Sequence, residues 1–301
     1  MSEPRAGLAS YSIDFGTGSS DVLLPGLPVL GGSAVGNLFP GARFSGTHGS
    51  FRLNEAGDLL VGRALIPAGD IEASTETLYS EILSAIRDRK LARCWHYVPD
   101  INAENAAGLE NYRAFCSGRS IAFERRFGAA FVSMLPAASA VGGASGVLAV
   151  VFAASDGEVR HIENPLQVPA YAYPGEYGPR PPSFSRATIV RSGGMRRVFV
   201  SGTAAVRGHA TIAPNRTEEQ LRCTLENLSE ISKASGLGPD LARGRAERHF
   251  TVYIRHAHDY ARTAEALGAA LFDPADSVSY LQADICRRDL NLEIEATVTL
   301  A

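Results

Sequence analysis

Two glutamates, Glu293 and Glu295, interrupt a segment that otherwise reads as an ordinary strand, N-L-E-I-E-A-T-V-T-L-A (Asn291–Ala301). Leu292, Ile294, Ala296 and Val298 alternate with polar positions, the two-residue period of a strand with one apolar face. Glutamate is a poor strand former and is costly to bury. Taken alone, the face carrying both glutamates reads as solvated. If that face instead lines a closed cleft, desolvation raises a carboxyl pKa and makes the group an acid near neutral pH.

Other side chains suit the binding of an anion. Tyr112 and Arg119 are two turns apart in a helical pattern, so they share a face. A phenol and a guanidinium aimed together can hold one carboxylate, with a bidentate contact from the arginine. The plainer reading is a surface arginine beside a partly buried tyrosine. Arg255 follows a strand, H-F-T-V-Y-I (His249–Ile254), at the end of which a side chain can enter a cleft. Its plain alternative is a surface ion pair, worth under about 1 kcal/mol. Tyr173, with Arg180 close behind it, lies in a proline-rich stretch, where a tyrosine can offer a hydrogen bond while its ring excludes water.

These residues need a scaffold, and the chain reads as one unit written twice. In the first half the predicted order is a strand (Leu59–Pro67), a helix capped by Ser74 or Thr75 and running to about Asp88, a strand (Leu91–Val98), a helix (Gly108–Phe123) and a strand (Gly146–Ser155). In the second it is a strand (Val198–Ala204), a helix (Thr217–Ile231), a strand (His249–Ile254), a helix (Asp259–Leu271) and a strand (Asn291–Leu300). The copies lie roughly 145 residues apart, a spacing suited to a duplicated domain. The pattern predicts an α+β fold with two tandem β-α-β-α-β domains, 1–160 and 186–301, joined by a connector at 161–185. Glu163–Ser185 holds six of the sixteen prolines and three tyrosines, which predicts a packed, extended segment over a site. Residues 1–45 read as loops with short strands.

Composition narrows the class. The net charge of −3 is spread without a basic block, which argues against nucleic acid. No apolar run reaches the roughly 20 residues of a membrane helix. The start, M-S-E-P-R-A-G, lacks the basic and apolar regions of a signal peptide. Four dispersed cysteines (Cys94, Cys116, Cys223, Cys286) fit reduced thiols, and a cytoplasmic location is expected. His256-x-His258 has no further ligand at metal spacing, Gly142–Gly146 lacks the Lys-Ser/Thr ending of a phosphate loop, and Ser201 has no nucleophile elbow. No metal is expected.

The second half resembles the RidA (YjgF) family through V-F-V-S-G-T, E-E-Q-L-R-C-T-L-E-N-L, T-V-Y-I-R-H-A-H-D-Y-A and L-E-I-E-A, in that order. The resemblance implies RidA-like domains, whose small-molecule sites lie between neighbouring units. The whole chain is similar to the chorismatases. The stretches that carry this are W-H-Y-V-P-D-I-N (Trp95–Asn102), G-L-E-N-Y-R-A-F-C-S-G-R (Gly108–Arg119), E-N-P-L-Q-V-P-A-Y-A-Y-P-G-E-Y-G-P-R (Glu163–Arg180), S-G-T-A (Ser201–Ala204) and D-I-C-R-R-D-L-N-L-E-I-E (Asp284–Glu295). Chorismatases release the enolpyruvyl group of chorismate as pyruvate without metal or organic cofactor. One subgroup hydrolyses the ether to a dihydroxycyclohexadiene carboxylate; another gives 3-hydroxybenzoate.

The resemblance assigns Glu293 as the catalytic acid and marks the position seven residues before it, Cys286, as the one that separates the subgroups. Alanine there goes with hydrolysis and cysteine with 3-hydroxybenzoate, so a 3-hydroxybenzoate synthase is implied. Tyr112, Arg119, Tyr173, Arg255 and Arg180 become candidates for gripping a dianionic substrate. Glu295 is assigned a structural part. A hydrolytic chorismatase, an imine deaminase of RidA type and a non-catalytic sensor of an aromatic acid stay as alternatives. A monomer or small homo-oligomer is expected.

Overall fold

The computed structural model describes residues 8–16 and 22–301. Four layers stack: two helices, a sheet, a second sheet, two helices. The expected α+β duplication holds. The first sheet orders its strands Arg43–His48, Phe51–Ala56, Leu59–Pro67, Val147–Ser155, Lys90–Pro99, Ala137–Gly143. The second orders Glu158–Ile162, Ala187–Ser192, Met195–Thr203, Leu292–Leu300, Glu247–Ile254, Ser277–Gln282, Val29–Gly32. The chain changes sheets between Ser155 and Glu158, so the strand Glu158–Ile162, divided by the expected boundary at 160, sits wholly in the second.

Each half holds several strands the sequence pattern did not reveal, and in each half one of them closes a crossover. Ala137–Gly143 pairs parallel with Lys90–Pro99, and Ser277–Gln282 pairs parallel with Glu247–Ile254. Both follow a helix and so close a β-α-β crossover. Ala137–Gly143 (A-A-S-A-V-G-G) lacks the branched and aromatic residues that mark strands. Of the irregular N-terminal stretch, Ser12–Asp14, Val22–Leu23 and Val35–Gly36 form a small three-stranded sheet. Residues 1–7, which carry the reading on a leader, and 17–21 lie outside the described residues.

Helix α1 (Ile71–Ala85) begins earlier than expected because Asp70 caps it, its carboxylate accepting from the Ala73 amide at 3.1 Å. Thr75 is buried inside it. Helix α2 (Asn111–Phe127) packs close against α1 at Gly118, where a Cβ would overlap the Glu72 carbonyl. Ile71, Leu78, Tyr79, Ile82 and Leu83 of α1, with Phe115 and Phe123 of α2, cover the first sheet. Helices α3 (Thr217–Ala234) and α4 (Tyr260–Ala270) cover the second through Leu221, Leu228, Ile231 and Leu267.

The two sheets bury their other faces against each other around Trp95, Tyr97, Phe199 and Tyr253. This decides the fate of the glutamates. Leu292, Ile294, Ala296 and Val298 face the helices α3 and α4. The opposite face of that strand therefore meets the first sheet, and Glu293 and Glu295 are only 3% and 4% exposed. The solvated face read from the strand alone is thus corrected: its partner, the other sheet, is distant in sequence. Among the described residues no helix is long and apolar enough to cross a membrane.

Candidate active site

Along one edge of the contact between the halves the sheets and the 163–186 segment leave a cavity of about 560 Å³. Glu293 lies in its wall, in the middle of the second sheet. Strand Met195–Thr203 bulges between Val200 and Thr203 beside it. The bulge presents Gly202, where a Cβ would overlap Glu293 Oε1. A glycine is what lets this carboxyl fit.

Glu293 is a buried acid that forms no ion pair among the described residues. Its Oε1 has no hydrogen-bond partner among the described residues. Its Oε2 accepts from the Cys286 thiol at 4.0 Å. Burial, and secondarily the negative charge of Glu295, push its pKa up to about 8 from 4.5, against weaker pulls from Arg93 and Arg186. At neutral pH the carboxyl holds its proton.

Glu295 shares the strand and the face yet is fully engaged. Its Oε2 accepts from Arg93 Nη2 at 2.6 Å and from Ser139 Oγ at 2.5 Å, and its Oε1 accepts from Trp95 Nε1 at 3.1 Å. All three donors come from the first sheet, so this carboxylate ties the halves together.

Cys286 sits in the loop before that strand and lines the cavity beside Glu293. Burial and the neighbouring Glu293 raise its thiol to about 12. It is a neutral space-filler and weak donor, not a thiolate.

Tyr112 and Arg119 of α2 both line the cavity. Arg119 is 2% exposed, lies over the rings of Phe115 and Phe184, and has no carboxylate partner among the described residues. Its Nε is buried without a partner. Burial holds the Tyr112 phenol neutral, its pKa well above the ordinary value. Tyr173 lines the cavity from the proline-rich segment, as a packed cover should, and its hydroxyl accepts from Arg186 Nη2 at 2.7 Å.

Arg255 and Arg180 stand elsewhere. Arg255 turns away from the cavity and donates to the carbonyls of Leu290 (2.8 Å), Ile285 (3.2 Å) and Arg287 (2.9 Å), to Asn102, and to Asp284. It shapes the loop that presents Cys286 rather than reaching a ligand, because five acceptors already surround its guanidinium. Arg180 pairs with Glu124 at 2.5 Å at the surface. That contact draws it off the wall that Tyr173 occupies.

Two arginines take the places left open. Arg186 is 7% exposed, binds Tyr173 and the Val168 carbonyl, and lines the cavity. Arg287 lies 4.4 Å over the Tyr177 ring and 5.4 Å over that of Tyr173, donates to the His209 carbonyl, and has no carboxylate partner among the described residues. Both were visible in the sequence only as R in S-F-S-R and C-R-R. Neither pattern has a period that tells an inward side chain from an outward one. His256 and His258 stack on each other at 5.4 Å in a separate groove between α3 and α4. Ser201 bridges the halves, its hydroxyl donating to the Ser185 carbonyl and accepting from the Ala138 amide.

The arrangement offers a neutral carboxylic acid at the wall of a cavity, a neutral thiol beside it, and three arginines, Arg119, Arg186 and Arg287, of which Arg186 also stands 4.0 Å from Glu163. Residues 40–154 match the N-terminal domain model of the FkbO/Hyg5-like chorismatases. A 3-hydroxybenzoate synthase of Streptomyces hygroscopicus is 40% identical over 248 residues, covering 77% of this chain and 71% of that protein. The chain belongs to the chorismatase family. A chorismatase of Streptomyces rapamycinicus is 37% identical over 269 residues, 86% of this chain and 80% of its own. A chorismatase crystal structure superposes with a TM-score of 0.78 at 28% identity, covering 99% of this chain and 95% of that one. The cavity draws on both halves, with Glu293 from one and Tyr112 and Arg119 from the other.

Proposed function

We propose that this chain converts chorismate to 3-hydroxybenzoate and pyruvate, with Glu293 as general acid. The observation that carries the reading is the unpaired, proton-bearing carboxyl of Glu293 with Cys286 Sγ 4.0 Å from its other oxygen. Protonating an enol ether at its methylene carbon is slow and needs a positioned acid that is still protonated at working pH. Glu293 gives its proton to that carbon, and an oxocarbenium ion forms at the ether carbon. Arg119, Arg186 and Arg287, with Tyr112 and Tyr173, receive the two substrate carboxylates. None of these arginines faces Glu293 closely enough to cancel the effect of its burial.

The ring hydroxyl next to the ether then attacks the carbon that bears it. The carbon–oxygen bond breaks, pyruvate leaves with the electron pair, and the hydroxyl proton returns to the Glu293 carboxylate. The resulting arene oxide opens and loses a ring proton to give 3-hydroxybenzoate. The products together contain all the atoms of chorismate, so no water is consumed. Water attacking the oxocarbenium carbon instead would yield pyruvate and the diol. Cys286 fills the space beside Glu293 and disfavours that water.

The resemblance of the second repeat to RidA proteins keeps imine deamination as a second reading. Incubation of the purified chain with chorismate, with assays for pyruvate and for the ring product, separates the three. Pyruvate with 3-hydroxybenzoate is expected; pyruvate with the diol would place the chain in the hydrolytic subgroup. Ammonia from 2-imino acids with no turnover of chorismate would overturn the reading. The cavity is built within one chain, which suits a monomer or small homo-oligomer. The cysteines are free thiols, which suits the cytoplasm.

A further inference from the structure

Behind Arg119 lies a buried hydrogen-bonded chain that the reaction itself does not use. His96 and Tyr79 are both fully buried. His96 Nδ1 is 2.6 Å from the Ser139 carbonyl oxygen, and His96 Nε2 is 2.6 Å from the Tyr79 hydroxyl. A carbonyl only accepts, so Nδ1 carries the proton. The ring is desolvated and stands near the cations Arg119 and Arg93, which keeps it neutral. Nε2 is therefore bare, and the Tyr79 hydroxyl must donate to it.

That proton order has a consequence for the tyrosine oxygen. With its hydrogen committed to His96, its lone pairs turn to its other polar neighbours, the Arg119 guanidinium and the Cys94 thiol. Arg119 lies 5.9 Å from the Tyr79 ring centroid. The guanidinium thus stands among the aromatic rings of Tyr79, Phe115 and Phe184, with the neutral Tyr79 hydroxyl as a polar neighbour. Its charge stays available, and its buried Nε remains unpartnered. A carboxylate in place of Tyr79 would hold the arginine as firmly but would neutralise it.

We propose that Tyr79 and His96 are positioning residues, which orient Arg119 from behind as an anion receptor without spending its charge. The proposal rests on reading the cavity as a chorismate site. Ser139 anchors the chain from the other side, since its hydroxyl also bridges Arg93 and Glu295.

The test compares wild type with Tyr79→Phe and His96→Asn, in KM and kcat for chorismate and in the dissociation constant of benzoate measured by calorimetry. Tyr79→Phe keeps the ring and deletes the oxygen. It is expected to raise KM and the benzoate constant about tenfold, with kcat changed far less. His96→Asn keeps a donor for the Ser139 carbonyl but frees the Tyr79 hydroxyl to turn its proton toward Arg119. It is expected to move both constants in the same direction. A purely structural part for these residues would lower the melting temperature and leave KM and the benzoate constant of the folded protein unchanged, which would overturn the proposal. If wild type fails to turn over chorismate, the proposed reaction falls. The benzoate constants then decide the inference alone: weaker binding in Tyr79→Phe supports it, equal binding ends it.

Discussion

The two ends of the short run Glu293–Glu295 stand in opposite surroundings. At Glu295 an arginine, a serine hydroxyl and an indole converge on one carboxylate. At Glu293, on the same strand face, one oxygen has no partner and the other meets a thiol. The first carboxylate is held by three donors, whereas burial at the second favours the protonated form. Residue type is the same, so the surroundings decide: donors from the first sheet tie Glu295 into the structure, while Glu293 is left in the cavity wall beside Cys286, where the proposed reaction uses it as the acid.

The contrast is sharpened most by removing each carboxylate in turn. Glu293→Gln is expected to slow pyruvate release about a thousandfold or more, the scale of a lost general acid. Turnover near wild type would break the comparison. Glu295→Gln leaves Arg93 buried without its counterion and is expected to cost about 3–5 kcal/mol of stability. Denaturant unfolding measures it, and an unchanged midpoint would show that the ion pair holds nothing.

Stability should respond oppositely at the other position. The folded pKa of Glu293 is raised, from 4.5 to about 8. Its contribution is therefore fully present below the unfolded value and is lost as pH rises through the folded one. Glu293→Gln should unfold at a higher temperature than wild type above pH 8, and calorimetry at pH 6 and pH 9 checks the difference. A smaller effect is expected from Gly202→Ala, whose Cβ collides with Glu293 Oε1. Turnover should fall about tenfold, at a cost of about 1–3 kcal/mol of stability from overpacking. Smallest in rate, Cys286→Ala is expected to shift product toward the diol, read from the ratio of the two ring products. An unchanged ratio would remove Cys286 from the choice of route.

What the sequence could reveal follows the range of the forces involved. The helices and six strands of the two large sheets were legible because their periods are local: Leu78, Ile82 and Leu83 mark the buried face of α1, and the strand Leu59–Pro67 has the bounds that were expected. Glu293, Cys286, Tyr112, Arg119 and Tyr173 were picked out by motif, and the fold gathers them on one cavity. The burial of the Glu293 face was not legible, because its cover is a sheet from the other repeat. Arg255 was misleading, since its position at a strand end looked suited to a cleft while its guanidinium serves the loop before Glu293. Arg186 and Arg287 were hidden because contacts distant in sequence place them, Tyr173 for Arg186 and the His209 carbonyl with the Tyr177 ring for Arg287.

The most direct test of the central claim is the pH dependence of pyruvate release from chorismate. A general acid is active while protonated, so a raised pKa keeps activity present below that value and loses it above. The profile of kcat/KM should fall tenfold per pH unit above about 8, the value to which burial raises Glu293. A profile that already falls near the ordinary carboxyl value, or that stays level far above 8, would contradict a proton held by Glu293.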